Sequence, residues 1–195
     1  AFAKKFGVEH HVFTFSPFAV EAVRFNRIDR CYHCKKAVFA QFADYAAAHC
    51  LTHIIDGTNG DDSHVYRPGR KALKEMGVLS PLSEFSKSEI RALSAQLGLS
   101  TASKPAAPCL ATRFPYNTEL TDEKIARAAQ GEAALKAMFP DVGNIRLRVH
   151  GDLARLEVPQ TAFPAAVEKA GEIANTLKNI GFDYVTLDLE GFRSG

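Results

Sequence analysis

The chain has 195 residues, 46% hydrophobic and 24% charged, with 13 Gly, 9 Pro, 4 Cys and no Trp. Those proportions exclude wholesale disorder, collagen-like repeats and a disulfide-dense scaffold. The 24 basic and 22 acidic residues leave a formal charge of +2, too slight to argue for nucleic acid or an anionic membrane.

In chain order, Phe2–Phe6 reads as the end of an amphipathic helix stopped by Gly7, and Val8–Phe15 as a strand. A sequence that opens in mid-helix is expected to have something before it. The start AFAKKFGVEHHVF lacks the order of a signal peptide, no apolar run reaches the ~18 residues of a membrane span, and the cytoplasm is the default compartment. Residues 30–50 carry apolar residues at helical spacing. A short apolar strand, Leu51–Ile55, follows and ends in the polar loop DGTNGDD. This is an α/β rhythm, in which ligands gather at the carboxyl ends of strands. Pro68-Gly69 opens a turn and Arg70–Met76 a short helix capped by Gly77. Ser86 and Glu89 form a capping box for a helix that stops at Gly98. The proline-rich stretch 100–115 marks a domain boundary, giving domains 1–115 and 116–195. Beyond it come a helix over 121–139, a hairpin of 145–150 and 153–158 about Gly151-Asp152, a helix near 161–179 and a last strand, Tyr184–Leu189.

Four features have chemical potential. Cys31-x-x-Cys34 is a thiolate-ligand or redox signal. With His49 and His53 it formally matches a zinc-finger spacing, but a finger needs its cysteines on a hairpin, and here one amphipathic helix separates the pairs. Asp56–Asp62 either offers oxygens to a metal or ribose, or forms a solvated turn. Cys109 lies in a proline-stiffened loop near Lys104 and Arg113, cations that favour thiolate, whereas Cys50 reads as a small hydrophobe before a buried strand. Arg146 and Arg148 share one strand face with Glu157 on the neighbouring strand. They form either a clamp for an acidic substrate or the polar face of a half-exposed hairpin.

Taken together, RCYHCK (30–35), DGTNGDDSHVYRPGRKAL (56–73), SPLSEFSKSEIRALSAQLGL (80–99), KPAAPCLATRFPY (104–116), RVHGDLARLEV (148–158) and VTLDLEGFRSG (185–195) resemble, in this order, one family. It is that of the ATP-dependent sulfur transferases that build the nickel-pincer nucleotide, the cofactor of lactate racemase, within the PP-loop superfamily. The resemblance implies an adenine nucleotide alpha hydrolase-like parallel-sheet domain, here N-terminally incomplete, followed by a smaller α/β domain. The SGGxDS loop that cradles ATP phosphates in the family is not in this sequence, so a preceding segment or a separate chain is expected to supply it.

The implied reaction adenylates a carboxylate of a pyridinium biscarboxylate mononucleotide with ATP and magnesium, then transfers sulfur to it. In single-cysteine members the position of Cys109 is sacrificial. In three-cysteine members, which Cys31, Cys34 and Cys109 match, the thiolates hold a four-iron, four-sulfur cluster. The resemblance also places Arg146, Arg148 and Glu157 near the substrate, adds Arg193 as a weaker candidate, and puts Asp61, Asp62 and Arg70 on the nucleotide side. It further implies a homo-oligomer. A tRNA thiolase of the same superfamily and a non-enzymatic zinc-binding interaction module are the alternatives. The near-neutral charge weighs against an RNA partner.

Overall fold

The computed structural model describes residues 2–61, 68–104 and 108–193. The chain divides into two compact units, residues 1–23 with 29–105, and residues 24–28 with 106–195.

The first unit is mainly helical. Helix α1 (Phe2–Phe6) stops at Gly7, whose φ of +62° only glycine adopts without strain. After the short α2 (Glu21–Arg24) comes the long α3 (Arg30–Ala48), against which α4 (Pro68–Glu75) packs. Gly69 makes that crossing close, since a Cβ there would lie 3.1 Å from Lys35 Cδ and 3.4 Å from the Cys31 carbonyl. Glu75 of α4 accepts from the Tyr32 hydroxyl at 2.7 Å and pairs with Lys36 at 2.9 Å. Helix α5 (Lys87–Gln96) begins at Ser86, whose capping box is complete in both directions.

The sequence expectation is too rich in strand here. Val8–Phe15 makes no ladder, because its side chains are committed to α3: the Phe13 ring packs edge-on against Phe42 and Tyr45, each at 5.3 Å. Leu51–Ile55 contributes a single parallel bridge, Ile55 to Leu79. Leu51 and Ile55 are both more than half exposed, so the run that reads as a buried strand is not buried. Cys50 is likewise exposed, with a φ of +54°, which corrects its reading as a packed small hydrophobe. The small core of this unit is formed by Ala22, Val23, Ala46, Ala72, Leu73 and Val78.

The second unit carries the sheet. Strands β1 (Arg146–His150) and β2 (Leu153–Glu157) form an antiparallel hairpin through Gly151, whose φ is +63°. Strand β3 (Tyr184–Leu187) joins β2 in parallel, giving the order β1-β2-β3. The parallel pairing needs a crossover, supplied by α7 (Phe163–Glu168) and α8 (Ala170–Asn179). The expected single helix over 161–179 is therefore broken, at Lys169. There the side chain leaves to donate to the Met138 carbonyl at 3.0 Å and to sit over the Phe139 ring. Helix α6 (Asp122–Met138) starts at Thr121, whose hydroxyl accepts from the Lys124 amide despite the missing carboxylate.

Alternation decides what the sheet buries. Leu147, Val149, Ala154 and Leu156 face inward and join Leu120, Leu135, Ile145, Leu177 and Phe182 in the core. Arg146, Arg148, Arg155 and Glu157 hold the intervening positions, on the other face. Among the described residues, no helix is long and apolar enough to cross a membrane.

Gly131 on α6 has no room for a side chain. A Cβ would collide with Leu147 Cδ2 and lie 3.2 Å from Leu177 Cδ2. Gly131→Ala is therefore expected to destabilise the protein by about 1–2 kcal/mol, because overpacking outweighs alanine's better helix propensity. A urea-midpoint measurement checks this, and an unchanged or raised midpoint contradicts it.

Candidate functional site

The polar face of the sheet forms a linked charge cluster. Arg148 Nε donates to Glu157 Oε1 at 3.0 Å, and Arg155 donates to the same oxygen at 3.3 Å. Arg155 Nε also lies 3.3 Å from Asp188, which Arg193 approaches at 3.7 Å; Arg193 further pairs with Glu190. Glu157 is 1% exposed, and its Oε2 has no hydrogen-bond partner among the described residues. Arg146 stands apart. Its guanidinium lies over the Phe192 ring at 5.1 Å and donates to the Ile145 carbonyl, with no carboxylate partner among the described residues. Burial, then repulsion from Arg113, lowers its pKa from the ordinary arginine value. The cluster thus holds one cation in excess of its carboxylates, on the strand where a bidentate anion contact is available. At the far end of β1, burial and then Arg155 and Arg148 lower the pKa of His150, which keeps the ring neutral near pH 7.

The turn bearing Cys109 is tied to this face. Cys109 precedes a 3-10 turn, Leu110–Arg113, and is exposed. Its carbonyl accepts from the Thr112 amide at 3.1 Å and from the Thr112 hydroxyl at 2.7 Å. The Thr112 carbonyl in turn accepts from Arg148 at 2.7 Å. Arg113 does not serve Cys109 as the sequence suggests. It is 3% exposed and held by Glu132 through two hydrogen bonds, 2.6 and 2.9 Å. The structure therefore brings together Cys109, Arg146, Arg148, Glu157 and Arg193 within one unit.

The other predicted residues lie in the first unit. Cys31 and Cys34 stand three apart near the start of α3, the end of a helix that favours negative charge. None of the four cysteines is in a disulfide. His49 ends the same helix, more than about 20 Å from the pair along its axis at 1.5 Å per residue, so the finger-like spacing does not make one tetrahedral site. Among the described residues, no three His, Cys, Asp or Glu side chains are grouped to hold a metal. Asp61 accepts from the Lys87 amide at 3.1 Å at the start of α5, Arg70 is half-buried on α4, and Asp62 lies outside the described residues. Asp56 accepts from Ser80 and Thr58. Burial raises its pKa, but those hydrogen bonds outweigh it and the net shift is downward.

Thr112, Glu132, Arg155 and Asp188 complete the arrangement and escape a motif reading. Arg155 and Asp188 were within reach, because they keep the two-residue period of Glu157 and Thr186. Nothing local links Glu132 to Arg113.

The fold and this cluster define a mixed α/β protein with an arginine-rich sheet face tied to an exposed thiol turn. No family model matches the chain. It is 36% identical over 196 residues to the pyridinium-3,5-bisthiocarboxylic acid mononucleotide synthase of Lactiplantibacillus plantarum, covering 99% of this chain and 70% of that one. An uncharacterised protein of Synechocystis sp. is 41% identical over 197 residues, with 99% and 73% covered. An uncharacterised protein of Methanocaldococcus jannaschii is 32% identical over 171 residues, with 87% and 66% covered. The chain belongs to the family of the Lactiplantibacillus synthase.

The Arg113–Glu132 pair carries a stability prediction. Burial raises the Glu132 pKa, but Arg113 and Lys136 lower it further, for a net depression. A carboxylate depressed on folding stabilises the fold above its unfolded value, about 4.3 for glutamate, and loses that contribution as pH falls through the folded value. Glu132→Ala should therefore cost about 3–5 kcal/mol at pH 7 by stranding a buried guanidinium, and flatten the loss of stability below pH 4.5. Denaturant melts at pH 7 and pH 3.5 measure both, and equal loss at the two pH values would contradict the assignment.

Proposed function

We propose that this chain takes part in sulfur transfer to a carboxylate of a pyridinium biscarboxylate mononucleotide, in biosynthesis of the nickel-pincer cofactor. The observation that carries this reading is the kinship, 36% identity over 99% of the chain, with a protein named for synthesis of the bisthiocarboxylic acid mononucleotide. The sheet face supports it, since a phosphorylated dicarboxylate suits the guanidinium groups of Arg146 and Arg148, with buried Glu157 holding Arg148 in place. On this reading a substrate carboxylate oxygen attacks the α-phosphorus of ATP, magnesium-assisted, and pyrophosphate leaves. A sulfide then attacks the acyl carbon of the adenylate, the C–O bond breaks with AMP as the leaving group, and a thiocarboxylate remains.

Asp61, Asp62 and Arg70 are the nucleotide-side residues in this proposal. An adenine nucleotide alpha hydrolase-like sheet is the matching fold. The parallel bridge between Ile55 and Leu79 has the pairing direction such a sheet requires.

Thiolates are the expected ligands of an iron–sulfur cluster, and Cys31, Cys34 and Cys109, none of them in a disulfide, are the donors in this proposal. Held by these three residues, a four-iron, four-sulfur cluster would supply sulfide from an iron without a protein ligand. Purification under anaerobic conditions with iron and acid-labile sulfide assays tests this. Both should be present in the full chain, retained in Cys50→Ala, and lost in single alanine variants of Cys31, Cys34 or Cys109. Zinc without iron or sulfide would instead favour an interaction module, and dehydroalanine at position 109 after turnover a sacrificial thiol.

Arg148→Ala should weaken binding of the pyridinium nucleotide by about 1.5–3 kcal/mol while the protein stays folded. Calorimetric titration measures this, and an unchanged affinity would leave the arginines as surface groups.

A further inference from the structure

Thr112 holds an unusual position in the second unit. Its side-chain hydroxyl has one proton, and Arg113 Nη1, which can only donate, already donates to the oxygen at 2.7 Å. The hydroxyl proton is therefore directed to its remaining partner, the Cys109 carbonyl, also at 2.7 Å. Arg113 is in turn immobilised by two hydrogen bonds to buried Glu132. The Thr112 main-chain carbonyl accepts from Arg148, which is bonded to Glu157. One residue thus connects three things: the peptide that orients the Cys109 side chain, a rigid ion pair in the core, and the arginine face.

We infer that Thr112 is a positioning residue, which fixes the peptide plane after Cys109 and so aims the thiol relative to a ligand held on Arg148. The inference rests on the reading of Cys109 as the residue that faces the reacting carboxylate. Its physical content is independent of that reading. With two hydrogen bonds on its carbonyl, the ψ of Cys109 is held near 132°, which fixes the direction of its Cα–Cβ bond relative to the turn. Removing the hydroxyl deletes one restraint and leaves Arg113 Nη1 without its acceptor, whereas a serine at this position keeps both bonds. A methyl group of valine fills the same space and keeps neither.

The test uses alkylation of the metal-stripped full chain by iodoacetamide, followed peptide by peptide in the mass spectrometer. In Thr112→Val the rate at Cys109 should rise about threefold to tenfold, the effect of losing one ordinary hydrogen bond. Cys31, Cys34 and Cys50 serve as internal controls and should not change. Thr112→Ser should match the parent within twofold, and Arg148→Ala should raise the Cys109 rate without adding to the effect of Thr112→Val in the double variant. Thr112→Ala replaces the valine variant if that one does not fold. In single-turnover sulfur transfer, Thr112→Val should lower the rate of the chemical step and spare nucleotide affinity. A Cys109 rate unchanged in Thr112→Val, or equal effects of serine and valine, overturns the inference. Absence of sulfur transfer by the parent protein to a preformed acyl adenylate, with the alkylation pattern intact, would overturn the functional reading and leave the positioning role standing.

Discussion

The second unit is organised by one buried ion pair. Arg113 and Glu132 are almost wholly removed from water, and a buried pair repays its desolvation only with good geometry and additional hydrogen bonds. This one has both: two Arg113 nitrogens reach the two carboxylate oxygens, Lys136 adds a third donor, and the Leu147 amide lies 3.4 Å from Oε2. The pair therefore ties the 3-10 turn to α6 and α6 to β1. Without it, neither the Cys109 turn nor the arginine strand would have a fixed reference. A hydrophobic substitute could stabilise the packing equally well, but it could not also orient Thr112 through Arg113 Nη1.

The sheet then distributes charge by simple alternation. Each core residue on β1 and β2 forces its neighbours to the opposite face, and those neighbours are arginines and a glutamate. Like charges directly opposite repel, as Arg148 and Arg155 would, yet both share Glu157 and the repulsion is offset. Arg146 is the residue left over. Its cross-strand partner is Glu157, but that carboxylate is taken by the other two arginines. Arg146 keeps its charge on an aromatic face at the edge of the cluster, with no ion pair to a carboxylate among the described residues.

Much of this was legible in the sequence, for identifiable reasons. The α3, α5 and α6 helices, the hairpin about Gly151 and the placing of Arg146, Arg148 and Glu157 on one sheet face all follow from local rules: period, cap and turn chemistry. The failures are tertiary. Val8–Phe15 has strand composition, but a strand exists only with a hydrogen-bonded neighbour, and its aromatic groups pack on α3 instead. The break at Lys169 depends on a carbonyl 31 residues earlier. The role of Arg113 was misread because proximity in sequence put it beside Cys109, whereas its partner lies 19 residues on, inside the core.

Residues 24–28 belong to the second unit although the chain passes through them long before the rest of it. Asn26 is fully buried there, donating to the carbonyls of Phe114 and Pro115, and Arg24 pairs with Glu119. Its partner carbonyl at Phe114 is 88 residues downstream, an interval of roughly 4–18 s at about 5–20 residues per second of synthesis. During that time the segment has left the ribosome with its polar groups hydrated and nothing to dock on. Closure of the second unit is thus an event of late synthesis, and the early segment is threaded into it by a chain that has already passed through all of the first.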